Sequence, residues 1–162
     1  CKIKQMVNLK LTSSAFSDGG EIPREYGYKN GNKVPPLTVS GIPEGVKSLA
    51  LIMDDPDAMG AVGKVWVHWV VWNIEPGALK EFQHYPTQTP EISHLAFYGM
   101  NDFGEVGYGG PAPPDKRHTY IFKLYALDSK LNLPASSTKA ELLEAMEGHI
   151  IEQATLTGTY AP

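Results

Sequence analysis

Two strand-length runs are apolar on both faces, and they constrain the fold more than any other feature. One is Ser48-Leu49-Ala50-Leu51-Ile52-Met53, and the other is Val65-Trp66-Val67-His68-Trp69-Val70-Val71-Trp72. Strands that turn neither face to water belong in the middle of a sheet. Alternation puts Trp66, His68, Val70 and Trp72 on one side of the second run. It puts Val65, Val67, Trp69 and Val71 on the other. Between such runs, glycine at 16 positions and proline at 13 favour short strands and long loops over helices.

The remaining elements follow from the same patterns. Val7 to Thr12 reads as a first strand, Leu37 to Ser40 as a short one, and Thr119 to Leu127 as a strong one. His118, Tyr120, Phe122, Leu124 and Ala126 share one face of that last strand. Gly99 to Pro114 is a long Gly/Pro loop, of the length that is usually functional in a compact domain. Thr138-Lys139-Ala140-Glu141 is a capping-box pattern. Leu142, Leu143, Met146, Ile150 and Ile151 then recur at helical spacing, with Gly148 inside the helix. Ala154 to Tyr160 closes the chain as a strand. The expectation is a single, mainly β domain over residues 1–162, an antiparallel sandwich-like fold with one or two short peripheral helices.

Composition narrows the function. The net charge is −4 and the 14 basic residues are scattered, which argues against nucleic acid and acidic lipid surfaces as partners. No segment approaches the roughly 20 apolar residues of a membrane span. The single cysteine is Cys1, so no intrachain disulfide forms within the sequence. A chain that starts at cysteine fits a lipoprotein matured just before a lipid-modified residue, which would place it in an envelope. It equally fits a start lying further upstream, and a cytoplasmic location is then favoured.

The chemistry gathers where the first central run ends, at Asp54-Asp55-Pro56-Asp57. Three carboxylates at a strand end repel one another unless donors come from elsewhere in the chain. His68 sits in the neighbouring apolar run, where a histidine is costly unless its ring nitrogens are paired. His118 and Tyr120 point the same way at the mouth of a third strand. Gly109-Gly110-Pro111 lies just upstream and can cover the same rim. Two imidazoles and a phenol offer donors to a small oxyanion, and a glycine amide can approach closely. An aspartate that accepts an imidazole N–H fixes the tautomer and favours the charged ring. Asp54 is left as a solvated or structural neighbour. His84, His94 and His149 are unremarkable singly, with His149 on the polar side of the late helix.

Two blocks of these residues resemble the phosphatidylethanolamine-binding protein family, also called the Raf kinase inhibitor protein family, in its shorter bacterial and archaeal form. The first is Asp55-Pro56-Asp57-Ala58 followed by Trp66-Val67-His68. The second is Tyr108-Gly109-Gly110-Pro111-Ala112-Pro113-Pro114 followed by His118-Thr119-Tyr120. The stretches Glu147 to Ile150 and Gly158 to Tyr160 also look like prokaryotic members. The resemblance implies a pocket for phosphate or a phosphorylated head group, with Asp55, Asp57, His68, Gly110, Pro113, His118 and Tyr120 at its positions. Met59 stands where the family usually has proline. The resemblance further implies a regulatory role on a kinase or protease and a homodimer. No enzymatic activity, cofactor or metal is expected.

Two other classes stay open. Asp55, Asp57, His68 and His118 are all eligible metal ligands, which would suit a metal-assisted hydrolase. The stretch Gly77 to Tyr98 or the Gly99 to Pro114 loop could instead present a serine protease inhibitor segment.

Overall fold

The computed structural model describes residues 8–78, 91–92 and 96–162. A six-stranded sheet forms its centre, in the order β5-β6-β4-β3-β7-β8, with antiparallel pairing between neighbours. The strands are β3 (Ser48–Asp55), β4 (Trp66–Ile74), β5 (Glu91–Ile92), β6 (Ala96–Tyr98), β7 (His118–Leu127) and β8 (Ile150–Tyr160). A second sheet pairs β1 (Lys10–Thr12) with β2 (Thr38–Ser40). Two helices, α1 (Ala58–Val62) and α2 (Lys139–Met146), complete the set with one 3-10 turn at Arg24–Tyr26. The mainly β, antiparallel fold is as expected. Its second layer is only two strands and an irregular segment, so the sandwich is lopsided.

Both faces of the central sheet are covered, which is why β3 is buried along its whole length. On one face Leu49, Leu51, Met53, Tyr120, Phe122 and Leu124 pack against Leu9, Leu11, Phe16, Ile22, Val34 and Leu37 from the N-terminal segment. On the other, Ala50, Ile52, Val70 and Trp72 meet Leu131, Leu142 and Met146. Fully burying each Leu, Ile or Met side chain contributes about 1.5–3 kcal/mol. The α2 helix docks by this face alone, with Leu142 and Met146 buried and Leu143 exposed.

Strict alternation fails in β4. Its partners on β3 run Met53↔Trp69, Asp54↔Val67 and Asp55↔Trp66, so His68 opposes nothing. This β-bulge turns the strand by one residue. Trp66 and Trp69 therefore lie on the same side of the sheet as Met53 and Asp55, while Val70 and Trp72 join the α2 side. A second irregularity at Asn73, which has a φ of 53°, brings Ile74 back opposite Leu49. The expected grouping of Trp66 and His68 with Val70 and Trp72 is thus wrong.

The late helix is shorter than its sequence pattern. Thr138 and Glu141 form the expected capping box, with Thr138 Oγ1 accepting from the Glu141 amide at 3.3 Å and Glu141 Oε1 from the Thr138 amide at 3.0 Å. The helix ends at Met146, and Gly148 turns the chain with a φ of 79°. Such a φ suits glycine and stops a helix. Ile150 and Ile151 consequently belong to β8. His149 lies past the helix, its Nδ1 2.8 Å from Asp128 Oδ1.

Candidate functional site

The acidic strand end is divided between the two faces of the sheet. Asp54 and Asp55 are adjacent on β3, and both are buried. Asp54 points to the α2 side, where Lys139 Nζ approaches to 2.7 Å and Lys123 Nζ to 3.4 Å. It is a buried ion-pair centre and not a solvated residue. Asp55 points to the opposite side, to the floor of a cavity. Asp57 is exposed, and its carboxylate accepts from the Thr119 amide at 2.8 Å, joining the end of β3 to the start of β7. Its own amide donates to Asp55 Oδ1 at 3.0 Å.

That cavity, of about 120 Å³, is lined by Asp55, His68, His118 and Tyr120 below and by Ala58, Ala61, Val62, Trp66, Phe103, Ala112 and Pro114 around its walls. The structure therefore brings together four of the seven residues singled out from sequence. Pro113 faces a different hollow, with Arg24, Lys29 and Tyr160, while its neighbour Pro114 lines the cavity. Gly110 packs against the backbone of Tyr26 and Gly27, and its amide donates to Asn32 Oδ1 at 2.7 Å. Met59 is 54% exposed and does not belong to the wall, which α1 builds from Ala58, Ala61 and Val62. Asp57, turned toward Thr119, is not a lining residue either. Among the described residues no three His, Cys, Asp or Glu side chains converge to hold a metal ion. His84 and His94, and most of the Gly77 to Tyr98 stretch, lie outside the described residues.

The Gly99 to Pro114 loop is held along β4 by main-chain hydrogen bonds. Gly99, Asp102 and Gly109 donate to the carbonyls of Val70, Val67 and His68 at 2.7, 2.8 and 2.9 Å. The Val67 amide donates to Asp102 Oδ2 at 2.7 Å. Buried Asn101 organises the turn, accepting from the amides of Phe103 and Glu105 while donating to the Gly107 carbonyl. Phe103 is thereby set against Trp66 and His68, with edge-on ring contacts at 5.6 and 5.5 Å. Gly109 has no room for a side chain, because a Cβ would stand 2.5 Å from the Phe103 ring. An Asx-turn pattern in Asn101-Asp102-Phe103-Gly104 is the signal that could have found this device.

The two histidines are held differently. His68 donates from Nδ1 to the Gly109 carbonyl at 2.7 Å, which leaves Nε2 as the other ring nitrogen at the cavity. Burial pushes its pKa below the ordinary imidazole value, and the nearby Gly109 carbonyl and Asp55 only partly offset this. His68 is accordingly neutral near pH 7. His118 is fully buried between two carboxylates, with Nδ1 2.6 Å from Asp55 Oδ2 and Nε2 2.7 Å from Asp115 Oδ1. Burial would lower its pKa, but the hydrogen bonds to Asp55 and Asp115 outweigh that and hold it raised. The Tyr120 hydroxyl lies near the Asp55 carboxylate and the Ala112 backbone, yet is buried without a well-formed hydrogen bond. Burial raises its pKa, so it stays a phenol. The Trp66 indole N–H is likewise buried without a hydrogen-bond partner.

A β-sheet carrying a cavity built from an Asp-Pro-Asp strand end, a bulged histidine and a His-x-Tyr strand start defines a recognisable class of domain. The chain belongs to the phosphatidylethanolamine-binding protein family, whose model matches residues 12–161. It is 44% identical over 152 residues to an uncharacterised-family (UPF0098) protein of Methanothermobacter thermautotrophicus, covering 94% of this chain and 98% of that one. The crystal structure of a Chlamydia trachomatis protein, described as a homologue of phosphatidylethanolamine-binding protein, superposes with a TM-score of 0.84 at 42% identity, covering 95% of this chain and 97% of that one. Escherichia coli YbcL, described as a new member of the mammalian family, gives 0.82 at 32% identity, covering 94% and 98%.

Proposed function

We propose that the cavity binds a phosphoryl group and that the protein is a binding module rather than an enzyme. The observation that carries this is the buried, unpartnered Tyr120 hydroxyl beside the His68 ring at the floor of a hollow with apolar walls. The Tyr120 hydroxyl has no well-formed hydrogen bond, and a buried polar group in that condition costs free energy until it gains one. A phosphate monoester titrates near pH 6. As its monoanion it donates from P–OH to neutral His68 Nε2 and accepts from Tyr120. Alternatively His68 takes up a proton and becomes a donor. Either route couples binding to a proton, so affinity rises as pH falls from 8 toward 6. The apolar walls of Trp66, Phe103 and Pro114 exclude competing water, which strengthens each polar contact.

The family name and the relatives support a phosphorylated ligand, and a regulatory role on a kinase or protease is the downstream reading of such capture. Titrating histidine side-chain NMR signals with inorganic phosphate and, separately, with phosphorylethanolamine tests it. We expect the His68 signals to move at millimolar concentration, and Tyr120→Phe to weaken binding about fivefold to tenfold, the value of one hydrogen bond. A tighter response to phosphorylethanolamine than to phosphate would identify a head group as the ligand, and equal responses a free phosphate. Unmoved His68 signals in both titrations would remove the proposal.

A further inference from the structure

His118 is the third polar hydrogen-bonding group at the cavity besides His68 and Tyr120, and it is already taken. Its ring is completely buried, and both nitrogens face carboxylates. The two carboxylates are not equivalent. Asp55 is buried at the end of β3, anchored by the Asp57 amide, and cannot leave without disturbing the sheet. Asp115 sits in the loop just after Pro114, its side chain is 40% exposed, and the only other donors near its carboxylate are adjacent loop amides. An exposed carboxylate on a loop can swing into water at little cost, whereas Asp55 cannot.

We infer that Asp115, which is bonded to cavity-lining His118 and follows cavity-lining Pro114, is a built-in competitor, a carboxylate that holds the Nε2–H donor of His118 until an incoming phosphoryl oxygen displaces it. This rests on the phosphoryl-binding reading above and extends it to how the site is regulated. Asp115 Oδ1 at 2.7 Å occupies the position an anionic oxygen would take on that nitrogen. The arrangement gives the site a threshold. A weak acceptor leaves Asp115 in place and binds only to His68 and Tyr120. An anionic phosphoryl oxygen that displaces Asp115 gains a charge-assisted hydrogen bond, roughly twice as strong as a neutral one. Asp115 thereby lowers the affinity of every acceptor that uses His118, by up to the strength of the bond it gives up. Its release also frees the loop that carries Ala112 and Pro114, which are cavity walls, so ligand capture is reported at the rim.

Comparing inorganic phosphate with acetate on the wild type, Asp115→Asn and Asp115→Ala tests this by calorimetry and by Asp115 side-chain carbon NMR. Removing the competing carboxylate should tighten phosphate binding about tenfold to a hundredfold. It should tighten acetate less than phosphate, because acetate gains only its own weaker bond to His118. In the wild type, phosphate should restore Asp115 to the pKa of an ordinary exposed carboxylate, which a general charge effect with Asp115 still bonded to His118 would not do. Phosphate binding that is unchanged or weaker in both variants, with the wild type binding normally, overturns the inference and leaves the phosphoryl site standing. No phosphate binding in any of the three proteins overturns both.

Discussion

Asp54 and Asp55 are consecutive residues that solve one problem in two ways. Each is a buried carboxylate at the same strand end, and alternation sends them to opposite faces of the sheet. Asp54 meets two lysines whose chains run out to solvent, with 35% and 25% of their side chains exposed. Asp55 meets the fully buried His118 imidazole, whose pKa it raises, and stands over an open cavity. Lysine is always charged near neutral pH, so the first arrangement is closed and insensitive to conditions. Imidazole titrates in that range, so the second can respond to protons and ligands. A contiguous acidic run is therefore divided in two, one carboxylate that locks α2 to the sheet and one that opens onto the cavity.

Removing each carboxylate in turn breaks the comparison most sharply. Asp55→Ala leaves His118 buried with only the exposed Asp115, and should cost about 3–5 kcal/mol, the loss seen when one partner of a buried pair is deleted. Asp54→Ala leaves two lysines that can reach water, and should cost about 1–3 kcal/mol. Urea unfolding midpoints of the two variants measure the difference, and equal losses would mean the two faces are equally closed. Gly148→Ala comes next, at about 1 kcal/mol, because its φ of 79° is unfavourable for alanine while a Cβ there meets no atom within 4 Å. That loss concerns only the Asp54 side, where α2 presents Lys139. It should lower thermal stability without altering phosphate binding.

The smallest effect is pH dependence, since the two histidines oppose each other. His118 has a raised pKa, so its contribution is full below about pH 6.5, the unfolded value, and is lost as pH rises through its folded value. His68 has a lowered pKa, so the unfolded chain takes up its proton first and stability falls as pH drops below about 6.5. Each tenfold change in proton affinity is about 1.4 kcal/mol. His118→Gln should flatten the alkaline side of the stability profile and His68→Gln the acid side, read from unfolding free energies between pH 5 and 9. Any other pattern would show that the imidazoles do not carry the titration.

Much of this was legible in the sequence. The apolar runs of β3 and β4 located the sheet centre, because hydrophobicity on both faces has no other cheap explanation. His118 and Tyr120 were placed correctly on the face of β7 by simple alternation. The bulge at His68 escaped because periodicity counts residues and cannot see a missing partner on the adjacent strand. Helical spacing ran on through Gly148 because Ile150 and Ile151 keep the period by coincidence, and only the positive φ reveals the stop. Asp115 was missed because Pro114-Asp115-Lys116-Arg117 has the composition of a solvated turn. Its meaning comes from a ring three residues away whose other nitrogen is already bound. The loop residues Asn101 and Phe103 are placed by a turn that the Gly99, Asp102 and Gly109 amides tie to β4, which composition does not encode.

The unpaired position in β4 has an evolutionary consequence. With His68 omitted, the partners Met53↔Trp69, Asp54↔Val67 and Asp55↔Trp66 would form an unbroken ladder. The histidine is an extra residue in the β3–β4 ladder, which the sheet accommodates by a bulge while its carbonyl holds the Gly109 amide. Scaffold and pocket can therefore diverge independently. Deleting this one residue would remove the His68 imidazole from the cavity while leaving the β3–β4 pairing in register.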